Sequence, residues 1–187
     1  AEGGPGDDTI TASGDAFGGG GDGNDVLIGS QNARLFGSFG DDTITVESDA
    51  TAMERATGFG GQGDDVLTGS GSSEIRGEAG NDVLTASGMS QAYGETGDDV
   101  LFGVDDALID GAEGADTLTA QLGVDADFVP SETSGVFMDG GDGADDFTVQ
   151  YAEANAPPQD DYAAHPSPPT PSLPSPSFPY DYYSPMR

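Results

Sequence analysis

A nine-residue phrase governs this chain. Gly20-Gly21-Asp22-Gly23-Asn24-Asp25-Val26-Leu27-Ile28 has near-copies that open at Gly3, Gly20, Gly37, Gly60, Gly77, Gly94, Gly111 and Gly140. The fourth position is Gly every time: Gly6, Gly23, Gly40, Gly63, Gly80, Gly97, Gly114 and Gly143. The sixth is Asp: Asp8, Asp25, Asp42, Asp65, Asp82, Asp99, Asp116 and Asp145. The eighth is large and apolar, from Ile10, Leu27 and Ile44 through Leu67, Leu84, Leu101 and Leu118 to Phe147. Five of the seven intervals are 17 residues, one is 23 and one is 29. Four positions held through eight copies exceed what a Gly-rich composition produces by itself. A fixed short period of this kind marks a stack of one repeated supersecondary unit.

Within a unit the phrase reads as a Gly-rich loop followed by a short β-branched strand such as Thr9-Ile10-Thr11 or Val83-Leu84-Thr85. About eight residues complete the regular unit, and their ends alternate, as in Ala33-Arg34-Leu35 and Ala107-Leu108-Ile109. Alternation places the outer two of each trio inward and the middle one outward. The expected fold is therefore all-β: a parallel β-roll or β-solenoid of about eight coils over residues 1–150. At the ~4.8 Å strand spacing its rod is roughly 38 Å long. Two units carry longer second halves, Val46–Phe59 and Ala120–Asp139. Those insertions are expected as loops on the side away from the Gly-Asp turns.

Residues 151–187 form a second region, an extended Pro/Ser/Tyr-rich tail holding ten of the twelve Pro after Tyr151. Missing N–H donors exclude a strand ladder there and favour polyproline II. Its Ser/Thr/Pro alternation resembles O-glycosylated stalks, so O-linked glycans are expected partners.

Charge narrows the function. Thirty-five acidic residues against four Arg, with no Lys, give −31, which excludes nucleic acid and anionic membrane surfaces as natural partners. No apolar run approaches the ~18 residues of a membrane span, so no membrane insertion is expected. Cys is absent, which removes disulfides and thiol chemistry. The single His165 sits in the Pro-rich region without a partner motif, and no nucleophile–base or zinc spacing occurs. The chain is expected not to be an enzyme.

The phrase Gly-Gly-x-Gly-x-Asp-x-apolar-x resembles the calcium-binding repeat of RTX, or hemolysin-type, proteins, which wind into a parallel β-roll. The resemblance covers about residues 3–150. It implies Ca²⁺ held between stacked loops by the eight Asp carboxylates and by carbonyls of the first- and fourth-position glycines named above. This chain departs from the family pattern by alternating each nonapeptide with a segment lacking it, so one row of up to seven ions is implied rather than two. Seven ions change the charge from −31 to −17. Ser38, Glu78, Glu95 and Ala112 replace the second Gly, and Ala115 and Ala144 occupy the fifth position, which points to weaker sites near residues 111–145.

The resemblance and the composition together imply an extracellular or cell-surface structural protein. A start at Ala1 almost directly on a repeat fits a processed terminus. Repeats without an evident cap imply copies of itself as partners, stacked head-to-tail into a filament or surface layer, with a further ion between Asp145 of one copy and Asp8 of the next. The alternative is a binding module, ice-binding or adhesin-like, because outward pairs such as Thr9/Thr11, Thr43/Thr45 and Thr117/Thr119 form a row resembling ice-binding solenoid faces.

Overall fold

Buried and exposed residues alternate along most strands, and a computed structural model describes residues 1–49, 55–122 and 135–151. One parallel eight-stranded sheet contains β1 (Glu2–Pro5), β3 (Phe17–Asp22), β5 (Arg34–Phe39), β7 (Thr57–Gln62), β9 (Glu74–Ala79), β11 (Gln91–Thr96), β13 (Leu108–Glu113) and β15 (Phe137–Asp139). The other contains β2 (Thr9–Ser13), β4 (Val26–Ser30), β6 (Thr43–Glu47), β8 (Val66–Ser70), β10 (Val83–Ser87), β12 (Val100–Val104), β14 (Thr117–Leu122) and β16 (Asp146–Tyr151). The chain crosses from one sheet to the other at each turn, so the expected all-β parallel solenoid is what forms. The expected Pro-rich tail and the middles of the two insertions lie outside the described residues.

Register follows the repeat. Leu84 pairs with Leu67 on one side and Leu101 on the other, and Ile75 pairs with Gly58 and Ala92. The 23-residue interval leaves this register intact, because Ile44 still meets Leu67.

Inward residues form a narrow core in which Leu27, Leu35, Ile44, Leu67, Ile75, Leu84, Leu101, Ile109 and Leu118 are fully buried. Bulk is shared out across the gap between the sheets. Gly29 faces Leu35, where an added Cβ would lie 3.0 Å from Leu35 Cδ1. Gly58 faces Ile44 in the same way, at 2.9 Å from Cγ2. A large residue in one sheet is thus accommodated by a glycine in the other, and close packing leaves no slack for a methyl group.

Two expectations change in detail. The first three motif positions belong to a strand rather than a loop: β3 runs through Gly20, Gly21 and Asp22, leaving only Gly23-Asn24-Asp25 as the turn. The eighth position is not buried throughout, because Phe147 is 52% exposed while its register partner Leu118 is 0% exposed. Among the described residues β16 is the outermost strand of its sheet, so no further coil packs beside Phe147.

Candidate metal centre

Turns repeat at the same edge of every coil, which stacks the sixth-position aspartates. Each carboxylate reaches back one coil. Asp25 Oδ1 accepts the backbone N–H of Asp8 at 2.7 Å, Asp42 that of Asp25 at 2.7 Å, and Asp65 that of Asp42 at 2.7 Å. Asp82, Asp99 and Asp116 continue the ladder, and Asp145 closes it on Asp116 at 3.1 Å.

The second oxygen is the informative one. Oδ2 of Asp25, Asp42, Asp65, Asp82, Asp99 and Asp116 is buried with no hydrogen-bond partner. A buried carboxylate oxygen left bare costs free energy until a proton or a cation satisfies it. Burial, opposed by the backbone hydrogen bond and reinforced by neighbouring aspartates, pushes Asp42 up to about 6 and Asp65 up to about 7. Burial likewise takes Asp82 to about 6 and Asp99 to about 7, and raises Asp116.

The first-position glycines make room for that oxygen. A Cβ on Gly77 would sit 2.8 Å from the Gly94 carbonyl oxygen and closer still to Asp82 Oδ2. Gly20, Gly37, Gly60 and Gly94 stand in the same relation to their own Asp Oδ2 and to the carbonyl of the next coil's first Gly. Carboxylate and carbonyl oxygens therefore converge from adjacent coils with no donor between them. Gly3 is similar, with Asp8 Oδ2 and the Gly20 carbonyl alongside, whereas Gly111 and Gly140 meet chiefly their own Asp116 and Asp145. Fourth-position glycines serve a different need. Gly40 has φ +115°, and a Cβ there would fall inside 3.0 Å of the Gly23 carbonyl oxygen. Gly6, Gly23, Gly63, Gly80, Gly97 and Gly114 share the positive φ.

Two features escape a reading of the motif. The fifth position carries a second ladder running the opposite way: Asp7 Oδ1 accepts the Asn24 N–H at 2.9 Å, and Asn24 Oδ1 accepts that of Asp41 at 3.1 Å. Asp41, Asp64, Asn81 and Asp98 extend it as far as the Ala115 N–H. The Asp/Asn preference at that position was the available signal. Second-position residues also hold a left-handed backbone, with φ +92° at Ser38, +76° at Glu78, +79° at Glu95 and +73° at Ala112.

Among the described residues no three His, Cys, Asp or Glu side chains converge. A cation here would have to draw on backbone carbonyls as much as on carboxylates. Calcium, a hard ion accepting mixed carboxylate and carbonyl oxygen, suits such a donor set.

Comparison with known proteins agrees. The model of the RTX calcium-binding nonapeptide repeat, in four copies, matches residues 1–16, 29–50 and 57–84. These segments carry RTX calcium-binding repeats. No curated protein and no solved structure matches the chain. RTX repeats bind Ca²⁺ between coils, form a structural rather than a characteristically enzymatic family, and are typical of secreted proteins. The matched segments contain the copies at Gly3, Gly37, Gly60 and Gly77, and the unmatched copies at Gly20 and Gly94 have the same carboxylate ladder and glycine cradle. Among the described residues no helix is long and apolar enough to cross a membrane.

Proposed function

We propose that this chain is a non-enzymatic, calcium-stabilised structural solenoid of the extracellular space or cell surface, built to stack head-to-tail on copies of itself. The row of six bare, buried Asp Oδ2 atoms carries the calcium part of this reading. Asp25 to Asp116 supply the carboxylates, and the first-position glycines of the following coils supply carbonyls. Calcium replaces the buried proton that each raised carboxyl would otherwise keep, and it bridges coils that would repel one another. The number of ions follows from the stack, up to seven between eight loops.

Stacking of copies is supported by the exposed last coil. Phe147 and Val149 are 52% and 48% exposed, although both point as the buried Leu118 and Ala120 point. Among the described residues β16 also ends its sheet, and an open strand edge is a template for another chain. A neighbour's β2 would cover that edge, bringing Asp8 to Asp145 with a further ion between them. Glycans on the Ser/Thr/Pro-rich tail complete the picture of a surface polymer. Negative-stain microscopy with calcium and after its removal tests this, with calcium-dependent fibres expected and monomers under both conditions excluding assembly.

A second reading keeps the solenoid and changes its task. The outward residues of the even-numbered sheet, among them Val26, Ile28, Val66, Val83 and Val100, are 40–46% exposed and uncharged. With Thr9, Thr43 and Thr68 they form a regular β-branched face suited to an ice-binding or adhesin-type module. Monomers that reshape ice crystals would favour that reading.

A further inference from the structure

The outer face of the odd-numbered sheet differs from the rest of this acidic molecule. It gathers Arg34, Arg55 and Arg76, three of the four Arg, beside the exposed rings of Phe17, Phe36 and Phe39. Phe36 and Phe59 stack at 5.0 Å between centroids on adjacent strands. Three shallow grooves of about 350 to 370 Å³ cross this face, and they adjoin at Phe17 and Phe36.

The first groove is lined by Asp15, Phe17, Asn32, Arg34, Arg55 and Thr57. Two of its residues hold unused polar atoms: Arg55 Nε and Thr57 Oγ1 are buried without a hydrogen-bond partner. Arg55 is fixed from the other side, by Glu74 at 3.3 Å and by Gln91. Arg34 has no ion pair among the described residues, and its guanidinium lies 5.8 Å from the Phe17 ring centre. The acid in the groove, Asp15, accepts the Asn32 side-chain N–H at 2.9 Å. An oxyanion in this groove would give Arg34 its counter-charge.

The other two grooves offer the opposite chemistry. Their walls include Phe17, Phe36, Phe39 and Phe59, they contain no Arg, and Glu2 and Glu78 line them. A polymer with a charge on every unit would meet those carboxylates as it followed the track. A ligand with one acidic group and otherwise neutral, flat-faced rings would not.

We propose that this face binds a glycan bearing an isolated acidic sugar. The carboxylate or sulfate of that sugar is taken by Arg34, while the apolar faces of neighbouring neutral pyranose rings lie on Phe17, Phe36 and Phe59. Strands ~4.8 Å apart present roughly one aromatic platform per coil over this stretch. The inference is independent of the calcium row, which lies along the turn edge, and of self-assembly.

The test uses the calcium-loaded full chain and neutral hexose oligosaccharides ended by a single glucuronic acid, by a single sulfated hexose, or by neither. Titration calorimetry should show binding of at least one acid-ended oligosaccharide and none, or far weaker binding, of the neutral one. Which acid-ended probe binds identifies carboxylate or sulfate as the source of the anion. Arg34→Ala should weaken that binding about tenfold or more, as loss of a charge-assisted hydrogen bond does. Phe17→Ala should weaken it as well, with calcium stoichiometry and far-ultraviolet circular dichroism unchanged in both variants. Equal affinity for the neutral probe, no binding of any probe, or an unchanged Arg34→Ala would each overturn the proposal. So would a peptide of residues 166–179 that displaces the acid-ended oligosaccharide, since a Pro-rich segment would then be the natural occupant of the aromatic track.

Discussion

Asp82 accepts the backbone N–H of Asp65 through Oδ1 at 2.7 Å and leaves its Oδ2 buried beside the Gly94 carbonyl with nothing to bind. One oxygen staples two coils together and the other waits for a cation. Substitutions can separate these roles. Asp82→Asn keeps an oxygen for Asp65 and places an amide N–H where the Gly94 carbonyl can accept it. That variant should fold more readily than the parent without calcium, yet bind fewer ions. Asp82→Ala loses both roles and leaves the Asp65 N–H unsatisfied, costing about 1–3 kcal/mol. Denaturant unfolding of metal-free protein and calcium titration of each variant separate the two outcomes. Asp145→Ala should remove less calcium than Asp82→Ala, because Asp82 lies between two coils and Asp145 in the last described one.

Acid should mimic calcium. In the unfolded chain the aspartates titrate near 3.8, but in the folded one Asp42 and Asp82 stand at about 6 and Asp65 and Asp99 at about 7. The folded state thus binds protons more tightly. Its stability without metal is fully present below about 3.8 and is lost as pH rises through 6 to 7. Circular dichroism of metal-free protein should show β structure near pH 4 and its loss by pH 8. Millimolar calcium, in the range used by extracellular modules, should restore it at pH 8. Disorder at both pH values, or β structure at both, would contradict this linkage.

The four fixed positions made the fold legible because each has a separate physical necessity. Gly77 clears a place for Asp82 Oδ2, Gly80 approaches the Gly63 carbonyl, Asp82 links coils, and Leu84 fills the core. Positions that matter only in pairs were harder to read. Gly29 looks like a turn residue until Leu35 is seen across the core, and Gly58 until Ile44 is. Asp7 looks like half of an acidic pair, whereas its side chain caps the Asn24 N–H of the next coil. The period says that coils stack, but not which side chains bridge them or in which direction.

Second-position residues offer a route to greater stability. Ala112 holds φ +73°, where a glycine is unstrained and an L-residue is not. Ala112→Gly should stabilise the calcium-loaded chain by about 1 kcal/mol. Gly40→Ala makes the converse change at φ +115°, and its Cβ strikes the Gly23 carbonyl. It should destabilise by more than the conformational penalty alone. Urea unfolding at fixed calcium measures both, and equal midpoints for Gly40→Ala and its parent would show that the loop can open without cost.

Assembly places the most specific demand on the ends. The ladder direction means that Asp145 already uses Oδ1 on Asp116, while no hydrogen bond to the Asp8 carboxylate is seen among the described residues. A neighbouring copy stacked in register would offer its Asp145 N–H to that carboxylate and so extend the ladder by one rung. The fifth-position ladder would not continue in this way, because Ala144 has no side-chain acceptor to give. Apolar burial must then come from the Phe147 and Val149 side of the contact, since Ile10 and Ala12 are already only 6% exposed. Such a contact is heterologous and grows into an open filament unless a ring closes. Asp8→Lys should leave the subunit folded but abolish polymerisation, and Phe147→Ser should weaken it while sparing the calcium sites between interior coils. Sedimentation and microscopy of both variants at millimolar calcium give the answer, and fibres of normal length from Asp8→Lys would place the contact somewhere other than these two ends.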